Sequence, residues 1–208
     1  MKDAVAWNQG DWCRTISVDR RDAPLRGLVE LIDNNPLVCA DEFSLPGPAA
    51  TLALIALGPL AEAGLIVERP TMLVNIEGEE EEISAFLEPS GWADGLTVSS
   101  ETVDLGGAIA ATVICAVATP DRLEDLDDLF DERYGRSFFV RRDEASEWHV
   151  SLVLDRPYAV YRLRISPDTP YCLLTIQVMA SREGKCGAAQ IVHALNVMCG
   201  FEESLGIA

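Results

Sequence analysis

The sequence is poor in histidine, holding only His149 and His193 in 208 residues. Imidazole acid–base chemistry therefore has two places to stand. His193 lies between Val192 and Ala194 in a helical pattern, and His149 follows Trp148 in a strand-like one; both contexts read as structural. The six cysteines, at 13, 39, 115, 172, 186 and 199, form no Cys-x-x-Cys pair. Structural zinc needs clustered ligands, so no metal site is expected. The thiols read as small buried hydrophobes of a reducing compartment. Positive charge is scarce as well, with 16 Lys+Arg against 34 Asp+Glu and a net charge of −18. Such a surface repels phosphate backbones and anionic lipid, so neither nucleic acid nor a membrane is expected as a partner. The longest apolar run, residues 48–61, is too short to span a bilayer, and no apolar h-region follows Met1-Lys2-Asp3. A cytoplasmic location is expected.

What is present is apolar material for a core, 49% of the chain. The stretch 43–60 organises the rest. Pro46-Gly47-Pro48 opens directly into an almost wholly apolar helix that ends near Gly64. Proline suits the first turn of a helix because its missing N–H has no partner there. The same turn carries free N–H groups and the positive end of the helix dipole, a natural seat for a nucleophile or an anion. Pro48 can be neither a nucleophile nor a donor.

Elsewhere the pattern predicts short strands over 13–18 and 36–41, with a short amphipathic helix over 25–32 between them. Strands follow over 70–77, 96–103, 108–118, 137–141, 148–154, 160–165 and 170–180. The run 108–118 is continuously apolar and reads as buried on both faces. Six glutamates crowd between 77 and 88 and open a helix carrying Ile83, Phe86 and Leu87. A second amphipathic helix, 121–134, turns Leu123, Leu126, Leu129 and Phe130 inward and seven acids outward. A last helix runs over 187–198 and is stopped by Gly200. This order predicts an α+β fold with a largely antiparallel or mixed sheet and helices mainly on one face.

The C-terminal segment sharpens that expectation. Lys185, Gln190, Asn196, Gly200, Glu203 and Gly206 fall in step with the Lys-Gly-Ala-(Ala/Ser)-Gly-Gln-Ala-x-Gln-x-x-Asn helix and the Gly-x-x-Glu-x-x-Gly-Leu tail of N-acetyl-gamma-glutamyl-phosphate reductases. Tyr134-Gly135 and Phe139-Val140-Arg141 resemble that family's Tyr-x-x-x-Pro-Phe-Val-Arg segment. Residues 57–66 resemble its Leu-Ala-Pro-Leu-x-x-x-Gly-Leu-Ile. The resemblance covers residues 36–207 and implies the C-terminal, oligomer-forming domain of the semialdehyde dehydrogenase group, which is glyceraldehyde-3-phosphate-dehydrogenase-like. It also implies NADPH on a Rossmann domain, a cysteine nucleophile and a histidine acid/base.

The sequence departs from those functional positions. No Gly-x-Gly-x-x-Gly follows a strand near the N-terminus, and about 35 residues precede the matching region, so no nicotinamide cofactor is expected. The family's Pro-Gly-Cys-Tyr-Pro-Thr aligns with residues 46–51, which puts Pro48 at the nucleophile. Its His-x-His-x-Pro-Glu-Ile aligns with residues 77–83, which puts Glu77 and Glu79 at the imidazoles. Cys39 and Ser44 lie nearest as substitutes, yet neither has an evident base.

The expected division is a divergent segment 1–35, a remnant or a cover for exposed helices, followed by the dimerisation domain 36–208. The expected function is a non-catalytic, protein-binding or oligomer-forming module. Its motive is apolar surface on the helices: Leu52, Ala53, Ile55, Ala56 and Leu60 on one, Ile191, Val192, Leu195 and Met198 on the other. The partner would be a second copy or an enzyme of an amino-acid-derived pathway. The alternative is a cofactor-independent isomerase, cyclase or hydrolase acting on a small amino-acid-like or carbonyl substrate. Its cleft would be lined by Glu77, Glu79, Arg141 and Lys185, with Glu79, Lys185 and Arg141 as the chemical groups.

Overall fold

The computed structural model describes residues 4–144 and 146–207. The N-terminal part builds a small sheet. Strand β1 (Ala4–Gln9) turns through Gly10, at φ +64°, into β2 (Trp12–Val18). A short helix α1 (Asn34–Cys39) then leads into β3 (Glu42–Leu45), which lies parallel to β2. The small sheet thus continues past residue 35. Next comes α2 (Pro48–Glu62), and then the elements of a six-stranded sheet: β4 (Thr71–Val74), α3 (Glu80–Leu87), β5 (Thr97–Ser100), β6 (Ala108–Ala118), α4 (Glu124–Tyr134), β7 (Val140–Arg142), β8 (Ala159–Ser166) and β9 (Tyr171–Ser181). Helix α5 (Ala188–Cys199) closes the chain and ends at Gly200, which takes the left-handed conformation of a C-terminal cap.

The large sheet has strand order β5-β4-β6-β9-β8-β7 and is mixed, with the β4–β5 and β7–β8 pairs parallel and the others antiparallel. Its spine is the β6–β9 pair, in register from Ala108 opposite Ser181 to Ala118 opposite Tyr171. Alternation sorts their side chains. Ile109, Val113, Val117, Leu174, Ile176 and Val178 point into the core under α2, α3 and α4. The opposite face is different: Leu73, Ile114, Tyr171 and Leu173 are exposed. The expectation that β6 is buried on both faces is therefore corrected, because helices cover only one side. Only one end of the open face is roofed, where Trp148, Val150, Leu152 and Leu154 pack on Val160 and Met179.

Helix α2 is buried throughout from Ala49 to Ala61, as a helix apolar on all sides must be. It carries Pro59 in its interior. Proline removes the bond that the Ile55 carbonyl would receive. The Tyr134 hydroxyl supplies it instead, donating to Ile55 O at 3.2 Å. A second core joins the small sheet to α5, with Ile16, Leu37, Phe43 and Leu45 against Ala194, Val197 and Met198.

Several local expectations are revised. Residues 36–41 are not a strand: Pro36 sits in the first turn of α1, after Asp33 at the cap. An apolar triplet such as Leu37-Val38-Cys39 is too short for periodicity to distinguish helix from strand. Residues 25–32 hold only a 3-10 turn, Val29–Leu31, and 148–154 only another, Val150–Leu152, with His149 at its cap accepting from Ser151 N. Cys13 and Cys39 are exposed and Cys199 is half-buried, so only Cys115, Cys172 and Cys186 behave as core hydrophobes. The helix faces expected to need a partner are covered within the chain. The α2 residues are buried under the sheet and against Leu31, while Ile191, Leu195 and Met198 pack in the second core and Val192 stays half-buried at the wall of a surface cleft. The open apolar surface is on the sheet instead.

Candidate functional site

The turn before α2 is held from three sides. Gln190 Nε2 donates to Pro46 O at 3.2 Å, and Thr51 Oγ1 to the same carbonyl at 3.3 Å. Cys186 Sγ lies 3.9 Å from Pro48 O. Burial pushes that thiol up to about 12, so it is a neutral packing group beside Pro48 rather than a nucleophile. Ser44 is fully buried and its hydroxyl accepts from Arg20 N, while Cys39 is exposed at the end of α1, so neither stands at the turn's mouth.

The decisive contact is Glu82. Its Oε1 accepts from Gly47 N at 3.0 Å, at the N-terminus of α2. A protein carboxylate thus sits where a helix N-terminus would receive an anion. The approach is so close that a Cβ on Gly47 would lie 2.4 Å from that oxygen. Burial, then the neighbouring Asp19 charge, push the Glu82 carboxyl up to about 7, against the pull of the Gly47 amide.

This shift has a testable consequence. In the unfolded chain the carboxyl ionises near its ordinary value of 4.5, whereas in the folded protein it holds its proton until about 7. The folded state binds the extra proton, so stability falls as pH rises through that window. Glu82→Gln keeps the acceptor and removes the charge. It is expected to raise the melting temperature at mildly alkaline pH by about 3–6 °C, a gain of about 1–2 kcal/mol that fades toward roughly pH 4. Thermal melts across pH check it; a gain that is the same at every pH would refute the assignment.

A second constellation lies at the other end of the same helix junction. Lys185 and Cys186 occupy the turn that precedes α5. The Lys185 ammonium is fully buried and meets Glu30 Oε1 at 2.5 Å. Glu30 lies in the 3-10 turn of the N-terminal segment and is itself only 4% exposed. His193, one turn into α5, places Nδ1 3.7 Å from Glu30 Oε1 and Nε2 3.2 Å from Glu203 Oε2. Its ring stacks on Phe139 at 3.9 Å between centroids. Asn196 fixes the tail that carries Glu203 by donating to the carbonyls of Glu203 and Leu205.

Burial alone would raise the Glu30 carboxyl, but the Lys185 charge and the Lys185 hydrogen bond hold it below its ordinary value. Burial pushes His193 down to about 4, with Glu30 opposing, so the imidazole is neutral at physiological pH. A neutral ring that donates Nε2–H to Glu203 leaves Nδ1 as a bare acceptor. Both His193 Nδ1 and Glu30 Oε2 are buried without a hydrogen-bond partner. Glu30 and His193 are among the residues that line a cleft of about 200 Å³, whose rim includes Arg133 and Arg136.

The residues expected from sequence to share one cleft have separate partners. Glu79 pairs with Arg21 at 2.6 Å on the surface. Glu77 is exposed next to it. Arg141 stacks over Tyr158, 3.8 Å from the ring centroid, on the far edge of the large sheet. Lys185 is spent on Glu30. Glu30 was not singled out in the sequence, and no local pattern marks it; Glu203 was noted only as a position of the tail motif. Their meeting at His193 arises from packing between elements remote in the chain. Among the described residues no three His, Cys, Asp or Glu side chains converge on a metal position, and no helix is long and apolar enough to cross a membrane.

Comparison with solved structures places the architecture. Two structures of aspartate semialdehyde dehydrogenase II from Vibrio cholerae, one complexed with ASA, superpose with TM-scores of 0.59 and 0.57 at 12% identity. Each match covers 85% of this chain and 68% of the dehydrogenase. The fold is that of a semialdehyde dehydrogenase. The α+β expectation, with a mixed sheet and helices on one face, holds in the form of that group's dehydrogenase-like C-terminal domain. No protein-family model matches the sequence, and no curated protein sequence matches it. The likeness is therefore one of fold, and the N-acetyl-gamma-glutamyl-phosphate reductase resemblance remains a matter of the motifs.

Proposed function

We propose that the chain is a cytoplasmic, non-catalytic relative of N-acetyl-gamma-glutamyl-phosphate reductase that acts by assembly. One observation carries the first half of this reading. At the N-terminus of α2, where the family's motif has its cysteine, Pro48 follows a Gly47 amide already bonded to the Glu82 carboxylate. A nucleophile is missing and the anion seat is filled from within.

The open face of the large sheet supports assembly. Leu73, Ile114, Tyr171 and Leu173 stand exposed on adjacent strands β4, β6 and β9. A contiguous apolar patch of this kind is characteristic of an interaction surface. A second copy docking face to face, or a related pathway enzyme, would cover it. Light scattering of the purified chain is expected to give at least a dimer mass. The double substitution Ile114→Glu and Leu173→Glu is expected to give a folded monomer. A wild-type monomer at all concentrations, with low binding of a hydrophobic dye, would overturn the reading.

A cofactor-independent enzyme is the second reading. It draws on the Glu30–His193 cluster, in which a neutral imidazole lies beside a carboxylate at the base of a cleft.

A further inference from the structure

The cleft beside His193 differs from the α2 turn in one respect: its polar groups are incomplete. Glu30 Oε2 and His193 Nδ1 are both buried and both lack a partner. Each such atom carries a desolvation penalty that a donor from a ligand would relieve. The charges point the same way. The buried carboxylate of Glu30 and the half-exposed carboxylate of Glu203 face one ammonium, that of Lys185, and a neutral imidazole, so this end of the cleft is negative among the described residues. The base is built to receive a cationic hydrogen-bond donor.

The rim has the opposite character. Arg133 and Arg136 come from the end of α4 and the turn after it. Arg133 is engaged with Glu62. Arg136 is exposed and takes part in no ion pair among the described residues. A guanidinium is a planar fork matched to a carboxylate. Ser137 sits beside it. Its hydroxyl oxygen accepts from Phe139 N at 3.0 Å and Val140 N at 3.1 Å, which leaves its O–H free to donate into the cleft.

We infer that this cleft binds a free α-amino acid as its zwitterion, the ammonium on Glu30 and His193 and the carboxylate on Arg136 and Ser137. The volume, about 200 Å³, equals about seven water molecules and suits a compound with a short side chain. A simple amine would leave the arginine rim unused, and a dicarboxylate would leave the buried acceptors unpaired. A divalent metal lacks converging ligands among the described residues. The site depends on Glu30 and so on the N-terminal segment. Amino-acid binding here is independent of whether the chain assembles through its sheet.

The test is a thermal-shift screen of the purified chain against the proteinogenic α-amino acids one at a time, near neutral pH, followed by calorimetric titration of the best ligand. At least one amino acid is expected to raise the melting temperature. Its N-acetyl and α-carboxamide derivatives are expected to bind at least about tenfold more weakly, since each removes one charged anchor. Arg136→Ala is expected to weaken binding by about tenfold or more while leaving the unliganded melting temperature unchanged, because the side chain is exposed and unpaired. Glu30→Gln is expected to abolish binding; since it also disturbs Lys185, Ser137→Ala serves as a milder variant with a smaller loss. Absence of a shift with every amino acid, equal binding of the N-acetyl derivative, or wild-type affinity in Arg136→Ala would each overturn the inference.

Discussion

Replacing Arg14 with alanine is expected to detach the N-terminal sheet from the body of the protein. Arg14 is 1% exposed, and its guanidinium donates to the carbonyls of Leu37, Val38, Ala40 and Met198. Three elements, α1, the turn before β3 and the end of α5, are thereby tied to one side chain of β2. The indole of Trp12 lies 4.1 Å from the guanidinium carbon and that of Trp7 lies 5.7 Å away, so the cation is also sandwiched. Truncation removes a donor from each carbonyl; Leu37 O keeps only the Ala40 amide at 3.3 Å, and the contacts to Leu37 and Met198 are the buried ones. Each buried orphan costs about 1–3 kcal/mol, so a loss of about 4 kcal/mol or more is expected. The effect is predicted to be regional. Amide hydrogen exchange in β1, β2 and β3 should lose protection while β6 and β9 keep theirs. Arg14→Lys should rescue little, because an ammonium cannot span acceptors arranged around a planar fork. Uniform loss of protection over both sheets would show that the small sheet is not a separate cooperative unit.

Lys185→Met is expected to produce the second large effect. The substitution keeps an apolar stem of similar length and removes the cation that meets the buried Glu30 carboxylate. Breaking one partner of a buried pair costs about 3–5 kcal/mol, which for a chain of this size lowers the melting temperature by about 10 °C. The loss should be largest at neutral and alkaline pH, where Glu30 is ionised. It should shrink as pH falls and the carboxyl is protonated. Glu30→Gln combined with Lys185→Met should recover much of the stability, since replacing both charges of such a pair is often close to neutral. Melting curves of the two variants across pH decide the matter. A Lys185→Met protein that melts like wild type would mean that the pair contributes nothing.

Much of the fold was legible in the residues because its signals are local. The strands β6 and β9 are largely apolar runs of 11 residues each, and α2, α4 and α5 carry apolar spacing with stop signals at Gly64 and Gly200. Of the short elements, β4 and β5 were legible within longer predicted runs, whereas α1 and β3 were not. α1 and β3 are 6 and 4 residues long, below the length at which a period can be counted. The small sheet is consequently a finding of the structure alone.

The site divides in the same manner. That Pro48 cannot attack or donate follows from its covalent structure, and no tertiary contact was required to establish it. That Glu82 occupies the adjacent amide required the fold, because a glutamate within an acidic run reads as solvated until packing removes its water. Lys185 read as a chemical group of the expected cleft. The structure instead sets it against Glu30, 155 residues away, and leaves the unsatisfied acceptors on Glu30 and His193. The sequence by itself determined the longer helices and strands, the inability of Pro48 to attack or to donate, and the acidic character of the chain. Only the tertiary structure decided which sheet face stays open and which ionisable groups are buried together. Periodicity and side-chain chemistry are properties of neighbours along the chain, whereas desolvation is set by neighbours in space.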